Sequence, residues 1–314
     1  MKFRRVGVNK GLVVYLDGKF VPKNEAKISV WDHGFLYGDG VFEGIRCYNG
    51  RVFRLEQHLN RLYDSAKSIH LNIPLTKEDM REKVIETFKI NGFQDSYCRL
   101  VVSRGPGDLG LDPRKCSKAT VVILVDKIQL YPEELYKKGM KLIIASTRKN
   151  IPEALNPKIK SLNYLNNILA KMEANLAGAG EAVMVNQQGY VAECSADNLF
   201  IVKDGVLITP PVYVGALEGI TRNVVIELAL ANMVPFKEAL FGSHDLFTAD
   251  ECFLTGTGAE LIAAVEINGR ILGDGTPGPI TIKLLKEFRE LIKHEGAPVF
   301  QVDAKCKQLD KVTL

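Results

Sequence analysis

Asn156-Pro157-Lys158-Ile159-Lys160-Ser161-Leu162-Asn163-Tyr164-Leu165 carries the strongest structural signal in the chain. A proline-broken loop gives way here to a helical pattern, with Leu162, Leu165, Ile168, Leu169 and Met172 recurring as an apolar stripe. Ser161 reads as the N-cap, which sets Lys160 just outside the positive end of the helix dipole. That field, together with partial burial and any neighbouring cation, lowers the pKa of a lysine amine. An amine freed of its proton can form a Schiff base with an aldehyde. Most lysines are solvated surface groups, so Lys160 needs support from elsewhere in the chain.

On the N-terminal side, Val13 to Val21 predicts two short strands around the Asp17-Gly18 turn, and Val41 to Arg46 a further strand. Helices are expected over Leu55 to Ser68 and Lys77 to Asn91, with strands at Tyr97 to Ser103 and Ala119 to Val125. Helices segregated from strands make this an α+β arrangement. Residues 1–125 then form a small first domain, and residues 126–136, with Tyr131-Pro132, connect it to a larger domain over 137–296. That second domain predicts hairpins at 182–193 and 198–208, helices from Thr221 to Asn232 and Ile280 to His294, and a loop at 273–278. The tail, 297–314, has little pattern.

The chain has 314 residues, 46% hydrophobic and 25% charged, which is ordinary for a globular protein large enough for two cores. A net charge of +4, evenly spread, gives no basis for a nucleic-acid or membrane-surface partner. No apolar run reaches the ~20 residues needed to span a bilayer, and the basic Met1-Lys2-Phe3-Arg4-Arg5 lacks the apolar core of a signal peptide. The six cysteines form no CxxC pair, and neither they nor the five scattered histidines have metal-ligand spacing. Free thiols in a reducing cytoplasm, and no metal, are the expectation.

Gly105-Pro106-Gly107-Asp108-Leu109-Gly110 matches GxGxxG by letter. A dinucleotide site needs a helix directly after it, and Leu111-Asp112-Pro113 offers none, so this is a turn-rich loop. Better anion sites lie further on. Leu217-Glu218-Gly219-Ile220-Thr221-Arg222 opens a helix whose free amides, with the Thr221 hydroxyl, can converge on a phosphate. Thr255-Gly256-Thr257-Gly258-Ala259 has the small residues of a backbone anion nest.

Seven blocks in order complete the pattern: Tyr37 to Arg46, His58-Leu59-Asn60-Arg61-Leu62, Tyr97-Cys98-Arg99, Lys160 to Tyr164, Glu193 to Phe200, Gly219 to Arg222, and Thr255-Gly256-Thr257. With them the chain resembles the class IV, or fold-type IV, pyridoxal-phosphate aminotransferases from about Leu16 to Ala263, and most of all those acting on branched-chain amino acids. The resemblance implies a small N-terminal α/β sandwich domain, a larger C-terminal domain built as a pseudo-barrel, and pyridoxal 5'-phosphate between them. It implies transamination of L-leucine, L-isoleucine and L-valine with 2-oxoglutarate through a Lys160 Schiff base, in at least a homodimer or a higher assembly of dimers. A loop from the neighbouring subunit would close the site.

By the same resemblance, Glu193 would stand beside the pyridine nitrogen, and Tyr164, on the lysine's helical face, would hydrogen-bond the ring oxygen. Arg61 would pair with the phosphate in a cup completed by Gly219, Ile220, Thr221 and Thr257, while Leu217 packs on the ring. Tyr97 and the Thr257-Gly258 turn would bind the α-carboxylate. Arg99, Tyr37 and Tyr131 would receive the distal carboxylate of glutamate, and Phe42 would help form the apolar pocket. One pocket must accept acidic and apolar side chains alike, which a buried arginine permits if tyrosine hydroxyls share its charge. Lys160-Ser161-Leu162-Asn163 is also close to the D-amino-acid version of the fold, and Ser103-Arg104-Gly105 resembles it too, although the Arg-x-His pair of those enzymes is missing from the loop that follows Gly105. Activity on D-amino acids or (R)-amines, or an aminodeoxychorismate-type lyase on the same scaffold, stays open.

Overall fold

In the computed structural model, which describes residues 11–128 and 131–300, two sheets divide the chain. The first has seven strands, in spatial order Ala297–Pro298, Arg51–Val52, Gly40–Tyr48, Ser96–Ser103, Thr120–Asp126, Val13–Leu16 and Lys19–Pro22. Gly40–Tyr48 and Ser96–Ser103 pair antiparallel along their lengths, from Gly40 opposite Ser103 to Cys47 opposite Ser96. Helices Leu55–Ser68 and Lys77–Asn91 lie on one face and bury Leu59, Leu62, Met80, Val84 and Phe88 against it. The second helix begins on a capping box between Thr76 and Asp79.

The second sheet runs Phe236–Glu238, Val206–Thr209, Asn198–Lys203, Glu251–Gly256, Glu260–Ile267, Met140–Ile144, Glu181–Val185, Val191–Cys194. Met140–Ile144 pairs parallel with both its neighbours. The Cys194 amide donates to the Asp197 carbonyl across the tight turn that leads the edge strand Val191–Cys194 into the interior strand Asn198–Lys203. Helices Ile220–Ala231 and Pro279–Leu291 cover it through Val224, Val225, Leu284 and Phe288, over the stacked rings of Phe200 and Phe253. Gly105 to Gly110 is a loop, as its proline requires, and only a three-residue turn, Pro113–Lys115, follows it.

Several expectations need correction. The helix after the lysine starts at Leu165, not at Ser161, and Tyr164 stands at its N-cap position. Ser161 is instead drawn into an antiparallel bridge with Val41, because tertiary backbone pairing outweighs the local capping preference. The apolar stripe does not face the core. Leu165, Ile168, Leu169 and Met172 are 68%, 52%, 45% and 53% exposed, while the small Ala170 and Ala174 are the buried residues of that helix. The described part of the tail, with little pattern in the sequence, joins the first domain: Ala297–Pro298 extends the first sheet, and Val299 and Phe300 pack on its core. Residues 129–130 of the connection, and 301–314 with Cys306, lie outside the described residues.

Candidate active site

Lys160 is held by the edge of the first sheet. Its carbonyl accepts from the Phe42 amide at 2.9 Å, the Leu162 amide donates to the Gly40 carbonyl at 2.9 Å, and the Lys160 amide donates to Ser65 Oγ at 3.2 Å. These bonds fix the backbone across the seam between the two sheets and send the side chain into a cleft. Nζ lies 3.2 Å from Tyr164 Oη and 4.6 Å from the Phe42 ring centre, whose edge meets Tyr164. The lysine and Tyr164 meet through a turn, not along a helix face as their spacing suggested. Burial, then the Arg61 guanidinium, lowers the Lys160 pKa to about 8, opposed by Glu43 and Glu193 and assisted by Arg99. Of the three causes expected from the sequence, burial and a neighbouring cation act on the amine, while the helix begins only at Leu165.

On one side of Lys160, a cleft of about 660 Å³ is lined by Arg61, Ser65, Asn156, Glu218, Ile220 and Asn223, among others. Arg61 does not hang free in it. Nε and Nη2 donate to the two oxygens of Glu43 at 2.7 and 2.8 Å, and Nη1 donates to the Glu218 carbonyl at 2.7 Å. Glu43 is wholly buried and also contacts His58 Nδ1 at 2.7 Å. Burial alone would raise its pKa, but Arg61 and His58 outweigh it and bring the carboxyl down to about 2. Facing Arg61 is the start of helix Ile220–Ala231, whose N-cap, Gly219, offers no side chain. The first amides, at Ile220 and Thr221, are thereby left for an anion, next to a fixed guanidinium.

A narrow slot on the second side is lined by Lys149, Tyr164, Asn167, Glu193 and Leu217. Glu193 is pinned from three directions. Lys149 Nζ reaches Oε1 at 2.6 Å, and the Leu217 amide and Asn198 Nδ2 donate to Oε2 at 2.9 and 3.1 Å. Both ions are almost wholly buried, so the pair is dry and rigid.

The third side is a cleft of about 770 Å³ lined by Phe42, Tyr97, Arg99, Tyr131, Lys160, Tyr164, Thr257 and Gly258, with Lys171, Glu181 and Asp197 also on its wall. Gly44 is required here, because a Cβ at that position would lie 1.8 Å from Tyr97 Oη. Arg99 differs from expectation. It is exposed, and its charge rests over the rings of Phe42 and Tyr97, at 4.7 and 5.6 Å, with no tyrosine hydroxyl hydrogen-bonded to it among the described residues. Tyr37 is not brought to this cleft. It is exposed and donates to the Leu109 carbonyl at 2.6 Å, on a surface that also exposes Trp31, Phe35 and Leu111.

Of the residues singled out from sequence, Lys160, Arg61, Tyr164, Glu193, Leu217, Ile220, Phe42, Tyr97, Arg99, Tyr131, Thr257 and Gly258 line one of these three connected spaces. Thr221 is buried in the helix's first turn. Glu43, Lys149 and Asp197 escape the sequence reading. Glu43 and Asp197 stand inside quoted blocks, but nothing local distinguishes a buried charge partner from a solvated carboxylate.

A lysine amine with a lowered pKa, between a fixed anion cup and a fixed carboxylate, defines a site for covalent chemistry on a phosphorylated cofactor. In accord with this, residues 40–267 match the family model described as amino-transferase class IV, and the chain belongs to that family. It is 51% identical over 287 residues to the putative branched-chain-amino-acid aminotransferase of Methanocaldococcus jannaschii, spanning 91% of this chain and 99% of that one. Among solved structures, the T.th. branched-chain amino acid aminotransferase with pyridoxamine 5'-phosphate superposes with a TM-score of 0.87 at 38% identity, over 90% of this chain and 94% of that one. The branched-chain aminotransferase of Thermoproteus uzoniensis with norvaline gives 0.84 at 40%, over the same shares.

Proposed function

We propose that the protein is a pyridoxal 5'-phosphate-dependent aminotransferase that moves the amino group of L-leucine, L-isoleucine or L-valine to 2-oxoglutarate. The observation that carries this reading is the buried Lys160 amine, brought down to about 8, on the wall of the cleft that Tyr97, Arg99 and Thr257 line, with Glu193 beside Tyr164 in the adjoining slot. The donor set fits the cofactor: a guanidinium and uncapped helix amides for a phosphate, and a pinned carboxylate for a ring nitrogen. When bound, the cofactor supplies an aldehyde that takes up amino groups and a ring that withdraws electrons from the substrate Cα.

Lys160 Nζ is the attachment point and then the group that removes and returns the proton at the substrate Cα. Near neutral pH a useful fraction of it is unprotonated, and Tyr164 Oη, 3.2 Å away, orients it. Arg61, Gly219, Ile220 and Thr221 hold the phosphate, with Thr257 closing the cup from the far side. Glu193, anchored by Lys149 and the Leu217 amide, presents a fixed negative charge to the ring nitrogen. Leu217 packs against the ring. Tyr97, Thr257 and Gly258 receive the α-carboxylate. Phe42 and Tyr164 receive a branched side chain, while Arg99 with Tyr131 receives the distal carboxylate of glutamate. Because Arg99 shares its charge with ring faces, an apolar side chain can lie along those rings without stranding an unpaired cation.

Residues 1–125 and 137–296 act as two domains joined by 126–136, with the site at their seam. The active form is a homodimer or an assembly of dimers. The exposed stripe of Leu165, Ile168, Leu169 and Met172 is too apolar to remain in water, and Tyr37 with Leu109 and Leu111 stands ready to enter a second copy's cleft. No described helix is long and apolar enough to cross a membrane, and the five described cysteines are free, which suits the cytoplasm.

The visible spectrum of the cofactor-loaded protein, followed during separate additions of L-leucine, L-glutamate and D-alanine, tests this. The covalent cofactor band should fade with both L-amino acids. A response to D-alanine alone overturns the branched-chain assignment in favour of the D-amino-acid one.

A further inference from the structure

Two carboxyl groups on the substrate-side cleft have no part in the roles above. Glu181 and Asp197 both line it, and both are buried, at 1% and 7% exposure. Glu181 is fully engaged: Ser195 Oγ donates to it at 2.5 Å, the Ala182 amide donates at 2.6 Å, and Lys171 Nζ lies 3.6 Å away. The Asp197 carboxyl receives no hydrogen bond from any described residue. Its Oδ1 lies over Gly256, so close that a Cβ there would sit 1.9 Å from it. Gly256 ends the strand that leads into Thr257 and Gly258, the turn assigned to the substrate's α-carboxylate. An unpartnered buried carboxyl thus adjoins the place where a second carboxylate must be received, and two like charges cannot share such a space without a proton between them.

We propose that Asp197 is a substrate-binding residue that works as an acid: arrival of an amino or 2-oxo acid is coupled to uptake of one proton by its carboxyl, which then donates a hydrogen bond to the substrate carboxylate. This rests on the assignment of Thr257 and Gly258 to the α-carboxylate. Burial, then Glu181, with help from Glu193, raises Asp197 to about 7, against Lys171 and Lys160. Tyr131, Tyr136 and Cys194 also face it, and all three are themselves pushed upward. Asp197 is therefore poised to change charge near neutrality, as a group that must yield to an incoming anion should be. The arrangement also favours ligands bearing a carboxylate over plain amines, which gain nothing from the acid's hydrogen.

Calorimetric titration of the cofactor-loaded protein with 4-methylpentanoate, a branched carboxylate that cannot react, tests the proposal. Buffers of different ionisation enthalpy at about pH 8 report the protons taken up. The wild type should take up about one proton more than Asp197→Asn, and its Kd should rise about tenfold per pH unit above about pH 7 where the variant's rises less. Any uptake that belongs to Lys160 and the cofactor survives in the variant and is read separately in the visible spectrum. Equal uptake and equal pH slopes in the two proteins overturn the Asp197 proposal alone. Absence of binding together with no spectral response to L-leucine overturns the functional reading and this proposal with it.

Discussion

Glu43 and Asp197 are both buried carboxyls whose charges act on Lys160, and they lie on opposite sides of it. Glu43, on the first sheet, accepts two bonds from Arg61 and contacts His58, and its pKa falls to about 2 despite complete burial. Asp197, at a turn of the second sheet, has no donor and two carboxylates nearby, and rises to about 7. Burial pushes both carboxyls upward; it is the main cause at Asp197, where the nearby carboxylates add to it, and it is overruled at Glu43 by Arg61 and His58. The cleft beside Arg61, proposed for the phosphate, is thus built on a permanent ion cluster, and the cleft beside Arg99, proposed for the substrate, contains a group that can change its charge. A cofactor that stays and a substrate that comes and goes make these different demands.

The comparison breaks most visibly at Glu43. Glu43→Gln leaves Arg61 and His58 without their anion, and removing one partner of a buried pair costs about 3–5 kcal/mol. Urea unfolding of the apo protein should show that loss together with weaker uptake of pyridoxal 5'-phosphate; unchanged values for both would mean that the cluster is incidental. Linkage gives the pH signature. With its folded pKa depressed, Glu43 contributes stability that is present above about pH 4.5 and lost as the pH falls toward 2.

Asp197 has the opposite sign, and its effect is spread over several pH units. Its folded pKa is raised, so the native state binds a proton that the unfolded chain has released, and stability declines as pH rises from about 4 to 7. Asp197→Asn should not share that decline. The stability difference between variant and wild type should therefore grow by up to about 1.4 kcal/mol per pH unit in that window and level off above it. A difference independent of pH would show that Asp197 is ionised throughout.

How much of this is legible in the sequence follows the reach of each interaction. The helices Leu55–Ser68 and Lys77–Asn91 follow from local periodicity with the bounds they have. The Ile220 helix start and the Thr257 turn are readable because glycine and threonine at such positions carry a local backbone meaning. Ser161 misleads because a local capping rule meets a pairing partner, Val41, far away in the chain. Lys149 and Glu193 meet only because a strand and a loop from separate stretches converge, and no spacing rule announces that. The stripe of Leu165, Ile168, Leu169 and Met172 is legible as apolar, but periodicity does not say whether an apolar face meets the chain's own core or a second chain.

Covalent anchorage and proton transfer are both proposed to fall on the Lys160 amine. Lys160→Ala, loaded with pyridoxal 5'-phosphate and assayed with L-leucine and 2-oxoglutarate, puts this to the test. Loss of the covalent cofactor band with turnover reduced to background is the predicted result. A variant that keeps full activity would contradict the account.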